Sequence, residues 1–405
     1  MHSTTDSSTF KPFSFFIRKT GISILLLCLF VALVPNKSFG QQDSSIARKQ
    51  IAIFIPLYLD SAYDATGNYR FGKTMPAYFN QGLEMYEGVQ LAIDSLTKEK
   101  VPVDIHIFDS RSSKNKLETL SQDTVFQKMN LLIGHVNVNE AASLARMADN
   151  MHIPFININL PNDAGITGNK EYIILNPTLS SHAAAIYRHI QRNYPLSPII
   201  YIRKKGVQED RLKKYFTDFE KQSGSVPLKM KEMILQDSVE TEQLKKWLDS
   251  SKNTICIVGS LDPNFGATIC RQLASISKTY KSSVFGMPTW DQMDFTKFFY
   301  KGVEIAYSSP TYINPENKLA TLLQNYYKTK FFSRTGDMVY KGFEITYLAA
   351  HLPDMDKSLK GKNNTLFGEI DIQPVYNKQT GAIDYYENKR LFFIKKLDGV
   401  VKAVY

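Results

Sequence analysis

Cysteine is scarce in this chain, with three residues in 405, and Cys28 lies in an amino-terminal apolar run. Cys256 falls in the apolar stretch Thr254–Val258, and Cys270 shares a helical face with Leu273 and Ala274. Two buried thiols are therefore expected ahead of a disulfide, and no Cys/His spacing suits zinc. Dinucleotide and hydrolase-nucleophile motifs are missing as well. There is no Gly-x-Gly-x-x-Gly after a strand and no Gly-x-Ser-x-Gly, which argues against dinucleotide binding and an α/β-hydrolase nucleophile. His182 and His189 stand seven residues apart, without the His-x-x-x-His spacing and nearby carboxylate of a metal pair. Neither a metal nor a cofactor is expected, and no nucleophile–base set points to an enzyme.

Runs of like charge are also lacking. The chain holds 49 basic and 39 acidic residues, but Lys11, Arg18, Lys19 and Lys37 stand against Asp6 alone in the first forty. The remainder carries 45 basic and 38 acidic residues, a net +7. No five like charges adjoin, and the stretch from Arg203 to Lys214 is interrupted by Glu209 and Asp210, so a solvated face fits it better than a nucleic-acid track. Asp354 and Asp356 read as a surface turn, and Asn363-Asn-Thr365 matches a glycosylation acceptor.

What the chain does have begins with an export signal. Residues 21–34 form an uncharged apolar run directly after Arg18 and Lys19. Such a run falls short of the roughly 20 residues a membrane span needs, and with Ser38 and Gly40 ahead of Gln41 it reads as a cleavable secretory signal over 1–40. Leu27 precedes Cys28 where a lipoprotein signal carries a small residue. The expected product is periplasmic and not an integral membrane protein.

Beyond that point strands and helices alternate. Ile51–Leu59 is a continuous apolar run of strand length, as for a strand buried on both faces. A polar and aromatic loop, Asp60 to Asn80, leads to a helix in which Leu83, Tyr86, Val89, Ile93 and Leu96 recur at helical spacing. Strands follow at 103–108 and 130–136, and Asn137 with Glu140 reads as a capping box opening a helix to Asn150. Strands at 153–158 and 172–175 close the first half. The rhythm restarts near Asn176-Pro177. Helices are expected at 180–193, 208–222, 240–250 and 262–277, interleaved with strands at 198–203, 228–235, 254–259, 283–286 and 303–308. Helices from Asn314 and over 340–351 precede an antiparallel end after Glu369. Strands spaced by helices indicate parallel α/β sheets, and there are too many for one.

The chain resembles the type I periplasmic binding proteins, the leucine/isoleucine/valine-binding kind of ABC transporter receptor. The residues that carry the likeness are Ile51–Pro56, Tyr86-Glu-Gly-Val-Gln-Leu-Ala-Ile-Asp94, Leu132–Val136, Ile153–Asn157, Gly286-Met-Pro-Thr-Trp290, Gly342–Tyr347 and Glu387–Ile394. Their order and spacing span nearly the whole chain after the signal. The resemblance implies two doubly wound parallel-sheet lobes with a ligand cleft and three interlobe crossings. Lobe one would be 49–175 with 311–388, and lobe two 178–308 with 391–405.

In open parallel sheets a ligand lies beyond the carboxyl ends of strands, where helix N-termini present N–H groups. That selects Tyr58, Asp60, Asn137, Asn139, Asn159 and Asn162 in lobe one, with Ser260 and Trp290 in lobe two. Asn137 and Asn139 read equally well as helix caps. Trp290 is expected in the cleft rather than the core, since Pro288 and Asp291 flank it. The resemblance implies Ser and Thr near 136–140 for an amino-acid carboxylate, and a tyrosine and an acid near Val207 and Pro288–Thr289 for its ammonium group. Those types are not there. The expected ligand is therefore a small polar molecule: an amino acid, peptide, sugar or cell-wall fragment. The implied role is an extracytoplasmic solute receptor serving an ABC permease. The alternative is an envelope interaction or regulatory protein with an open or vestigial cleft. A monomer or weak dimer is expected.

Overall fold

In the computed structural model the described residues are 47–113, 117–236, 238–352, 366–368 and 370–404. The signal run, Asp354, Asp356 and the Asn363 acceptor lie outside them. The first half of the chain gives β1 (Lys49–Ile55), α1 (Leu59–Ala62), α2 (Asn80–Lys98), β2 (Val103–Asp109), α3 (Leu117–Leu120), β3 (Leu131–Gly134), α4 (Val138–Met151), β4 (Phe155–Asn157) and β5 (Tyr172–Ile174). Next come α5 (Leu179–Asn193), β6 (Ile199–Arg203), α6 (Val207–Ser223), β7 (Met230–Ile234), α7 (Thr241–Lys245), β8 (Thr254–Val258), α8 (Pro263–Ser275), β9 (Ser282–Gly286) and β10 (Glu304–Ser309). The last part holds α9 (Lys318–Phe331), α10 (Asp337–His351), β11 (Ile372–Tyr376), β12 (Ile383–Asn388), β13 (Phe392–Leu397) and β14 (Val400–Val404).

Two seven-stranded sheets result, ordered β11-β12-β5-β4-β3-β1-β2 and β14-β13-β10-β9-β8-β6-β7. The core of each is parallel, and antiparallel pairs occur only toward one edge, at β11 with β12 and at β10, β13 and β14. This is a two-lobe α/β architecture. The chain passes between lobes after β5, after β10 and after β12, because β12 pairs with β5 while β13 pairs with β10. From Arg48 on, the chain forms one unit.

Apolar strands buried on both faces explain this layering. Ile51, Ile53 and Ile55 of β1 face a cluster with Met85, Val89 and Ile345, while Ala52 and Phe54 face Leu144, Ala145 and Phe155 beneath α4. In lobe two α5 and α6 cover one face through Ile186, Ile190, Leu212 and Phe216, and α8 covers the other through Ile269 and Leu273. Glycine sets the approach of α2 to α10. A Cβ on Gly88 would lie 2.1 Å from the Val339 carbonyl oxygen, and one on Gly342 would lie 2.4 Å from that of Met85.

Helix boundaries differ from expectation where caps compete. The Asn317 side chain accepts from Leu319 N and Ala320 N, so α9 opens there and not at Asn314, whose own side chain closes a turn on Glu316 N. The loop after β1 is less open than expected, since it contains α1 and a 3-10 turn at Ala77–Phe79. Both remaining cysteines are free and buried. Among the described residues no helix is long and apolar enough to cross a membrane.

Candidate functional site

The strand ends of lobe one are organised by a residue that sequence reasoning missed. Asp109, at the end of β2, is buried, and its Oδ1 accepts from Leu57 N (2.9 Å), Tyr58 N (3.1 Å) and Arg111 N (2.9 Å) while Oδ2 accepts from Leu59 N (2.8 Å). One carboxylate thus fixes the turn after β1, where Tyr58 takes the left-handed conformation (φ 55°). Asp60 joins the neighbouring turn, accepting from Ser113 N at 2.8 Å. Arg111 then bridges two elements. Its guanidinium lies 5.6 Å from the Tyr58 ring centre and 2.7 Å from Glu140 Oε1 on α4.

The N-terminus of α4 is closed by its own side chains. Asn137 Oδ1 accepts from Glu140 N at 2.9 Å, and Glu140 Oε2 accepts from Asn137 N at 2.8 Å, a complete capping box. Burial pushes the Glu140 carboxyl above its ordinary range, with the Asp109 charge adding to it; the bond to Asn137 and the Arg111 charge act the other way. Asn139, two residues after Asn137, is exposed. The Asn159 side chain is turned inward, accepting from Val136 N at 2.8 Å and donating to Val136 O at 3.0 Å. Asn162 is exposed and accepts from Ala164 N at 2.9 Å. Asn137, Asn159 and Asn162 therefore all serve the local backbone.

In lobe two the structure corrects two expectations. Trp290 is wholly buried in the core, its ring stacked over Gly286 and Gly266 and 5.2 Å from that of Phe295. The two glycines make room for the indole beneath the 3-10 turn Pro288–Gln292, so the loop that carries Trp290 points it inward. Ser260 is buried as well, donating to Glu209 at 3.0 Å and accepting from Asp262 N at 3.2 Å. Asp291, the residue after Trp290, accepts from Tyr307 OH at 3.2 Å. Burial raises the Asp291 carboxyl, and the Asp337 charge, carried by α10 of lobe one, adds to it. Lys341, also on α10, is pushed down by burial, with Asp337 and Asp291 opposing. The cleft sides thus carry compensated charge sets, Arg111 with Glu140 and Lys341 with Asp337 and Asp291. Sequence reasoning missed Arg111 with Glu140, and Asp291 with α10, because those partners are far apart along the chain.

His135, at the end of β3, is buried, and its imidazole is pushed down to about 4 by burial, with the Lys341 and Arg111 charges acting in the same direction. Between the crossings lies a mainly apolar cavity of about 40 Å³, lined by Ile158, Leu175, Ile345, Leu348, Phe367 and Ile370 together with Asn176, Thr311, Lys341, Glu344 and Asn388. Among the described residues no three His, Cys, Asp or Glu side chains converge as a metal site.

No protein-family model matches the chain, and no curated protein sequence does. Solved structures do. A protein of Rhodospirillum rubrum assigned to branched-chain amino acid ABC transport aligns with TM-score 0.63 at 11% identity, over 88% of this chain and 100% of that one. An ABC transporter substrate-binding protein of Desulfitobacterium hafniense in complex with Leu gives 0.54 at 12%, again over 88% and 100%. The C-domain of Haemophilus influenzae LpoA, a regulator of PBP1A, gives 0.56 at 11%, over 88% and 100%. The chain has the type I periplasmic-binding-protein fold, shared by transport receptors and by a regulator of another protein.

Proposed function

We propose that this chain is an extracytoplasmic two-lobed receptor, exported by residues 1–40, that holds a small uncharged polar ligand between lobes 49–175 with 311–388 and 178–308 with 391–405. It acts by binding and not by turnover, and an ABC permease is the partner such a receptor serves. The observation that carries the ligand class is the closed α4 N-terminus. A free carboxylate placed there would meet Glu140, whose own oxygen already accepts from Asn137 N, so the attraction of a helix N-terminus for anions is already used. Exposed Asn139 and Asn162 and the hydroxyl of Tyr58 suit a neutral ligand instead. The same closure favours a second reading, a regulator with a vestigial cleft, in keeping with the likeness to the LpoA C-domain.

A thermal-shift series with leucine, a dipeptide, neutral monosaccharides and muropeptides, followed by small-angle scattering, separates these readings. Ligand that binds only the native state raises stability as RT ln(1 + [L]/Kd). The receptor reading expects a neutral compound to raise Tm and shrink the radius of gyration as the lobes close. Stabilisation by leucine refutes the assigned ligand class. No stabilisation by any compound favours the regulator.

A further inference from the structure

Tyr63, Tyr69 and Tyr78 stand on the surface of lobe one with 45%, 37% and 49% of their area exposed, beside Leu59 and Met75. They are the outer members of a continuous file of rings. Tyr63 meets Tyr69 at 5.8 Å, Tyr69 meets Phe71 at 5.7 Å, Phe71 meets Phe79 at 5.7 Å, and Phe79 meets Tyr78 at 4.4 Å and Tyr58 at 5.8 Å. Phe79 anchors the file in the core. From it the rings run out over the segment between β1 and α2.

The backbone beneath them is held by its own hydrogen bonds. Asp64 Oδ1 accepts from Thr66 N at 2.9 Å, Thr66 Oγ1 at 2.6 Å and Asn68 N at 2.9 Å, and those bonds hold its carboxyl below the usual range. Tyr63 and Tyr69 form a backbone bridge, and Tyr69 OH donates to Thr74 O at 2.9 Å. Rings fixed in this way lose little freedom when something lies on them.

We infer that the outer rings of this file, Tyr63, Tyr69 and Tyr78, form a binding platform for a neutral pyranose oligosaccharide, beside the cleft residue Tyr58. Ring faces carry partial negative charge, and the axial C–H groups of a pyranose present the complementary positive face. Residues 58–80 carry Asp60 and Asp64 against Arg70 and Lys73, a balance of zero, so nothing there selects an ionic ligand. The exposed rings alternate with Thr66, Asn68 and Thr74 and bear phenolic hydroxyls, which match sugar hydroxyls at the ring edges. Valine and isoleucine, the usual makings of an aliphatic protein interface, are absent from 58–80. The platform does not depend on the cleft holding a ligand.

Isothermal titration calorimetry of the full chain with chitotetraose and with maltotetraose tests this. At least one is expected to bind, with Tyr78→Ala and Tyr69→Ala each weakening it about tenfold. Tyr78→Phe, which keeps the ring and loses only the hydroxyl, should bind several-fold more tightly than Tyr78→Ala, and unfolding curves should show all variants folded. Binding should leave the scattering radius unchanged, which separates the platform from lobe closure around a cleft ligand. No heat from either sugar, or alanine variants that bind as tightly as the parent, overturns the platform. So does self-association abolished by Tyr78→Ala without sugar binding, which marks the rings as a protein interface.

Discussion

The Glu387 carboxylate accepts the backbone N–H of Thr178 at 2.7 Å, tying the start of the third crossing to the end of the first. Glu387 is 1% exposed, and its second oxygen accepts from Lys389 Nζ at 2.5 Å, which also donates to Ser181 Oγ at 2.7 Å. Asn388 adds a bond to Leu175 O at 3.3 Å. The crossings are therefore hydrogen-bonded to each other, and removing the Glu387 carboxylate leaves the buried Thr178 N–H without this acceptor. Glu387→Ala should cost about 2–3 kcal/mol in denaturant unfolding, the range for hydrogen bonds to charged groups. Glu387→Gln, which keeps an acceptor, should cost less. Equal stability of Glu387→Ala and the parent would show that the crossings do not need this contact.

Trp290 gives a sharper packing test. A Cβ on Gly286 would sit 2.0 Å from its ring and one on Gly266 2.3 Å from it, so Gly286→Ala should destabilise by about 1–3 kcal/mol through overpacking. Trp290→Ala should cost about 3–5 kcal/mol by leaving a cavity. Trp290→Phe should be milder, because Trp290 Nε1 makes no hydrogen bond among the described residues. Urea midpoints measure all three. A variant that loses ligand affinity at unchanged stability would return Trp290 to the cleft.

The burial of Trp290 marks the limit of what a single sequence makes legible. Alternation of Ile51–Ile55-type strands with helices such as that bearing Leu83 to Leu96 is local, and it was enough to read two parallel-sheet lobes. The capping box at Asn137 and Glu140 is local too, and it was legible as a cap. Trp290 between Pro288 and Asp291 reads locally as a polar loop, yet its burial is decided by Gly266 on a separate helix. In the same way, Asp109 gathers Leu57, Tyr58 and Leu59 from 50 to 52 positions away. Pairings across such distances, and the Arg111–Glu140 contact with them, leave no periodicity in a single sequence.

Asn159 is expected to be a folding residue. Its amide replaces a missing strand neighbour by bonding both the N–H and the carbonyl of Val136. Asn159→Ala should cost about 1–3 kcal/mol, two neutral hydrogen bonds at roughly 1 kcal/mol each. Asn159→Asp should cost more, since a carboxylate can accept from Val136 N but faces Val136 O with no proton to offer. Chemical denaturation of the two variants at neutral pH gives the comparison. The reverse order would mean that the side chain reorients toward solvent.

Acid should unfold this chain early, because three histidines are buried neutral. Burial pushes His135 and His189 down to about 4 and His182 to about 3, and His182 Nδ1 lies 2.8 Å from Ser308 Oγ on β10. Each folded value is below the unfolded one of 6.5, so between the two the unfolded chain binds the proton first. Their contribution is complete above about pH 6.5 and is lost as pH falls toward 4. At about pH 5 each histidine should cost on the order of 2 kcal/mol, from about 1.4 kcal/mol per pH unit below its unfolded value. Glu84, Glu87, Glu140 and Asp291, all raised chiefly by burial, act in the opposite sense from their ordinary values of 4.5 for Glu and 3.8 for Asp upward, and so offset part of this loss. Urea midpoints should therefore fall steadily from pH 7 to pH 5, and His182→Gln should flatten the slope. A midpoint that holds constant across that window would mean that the imidazoles are reached by water and protonate without unfolding.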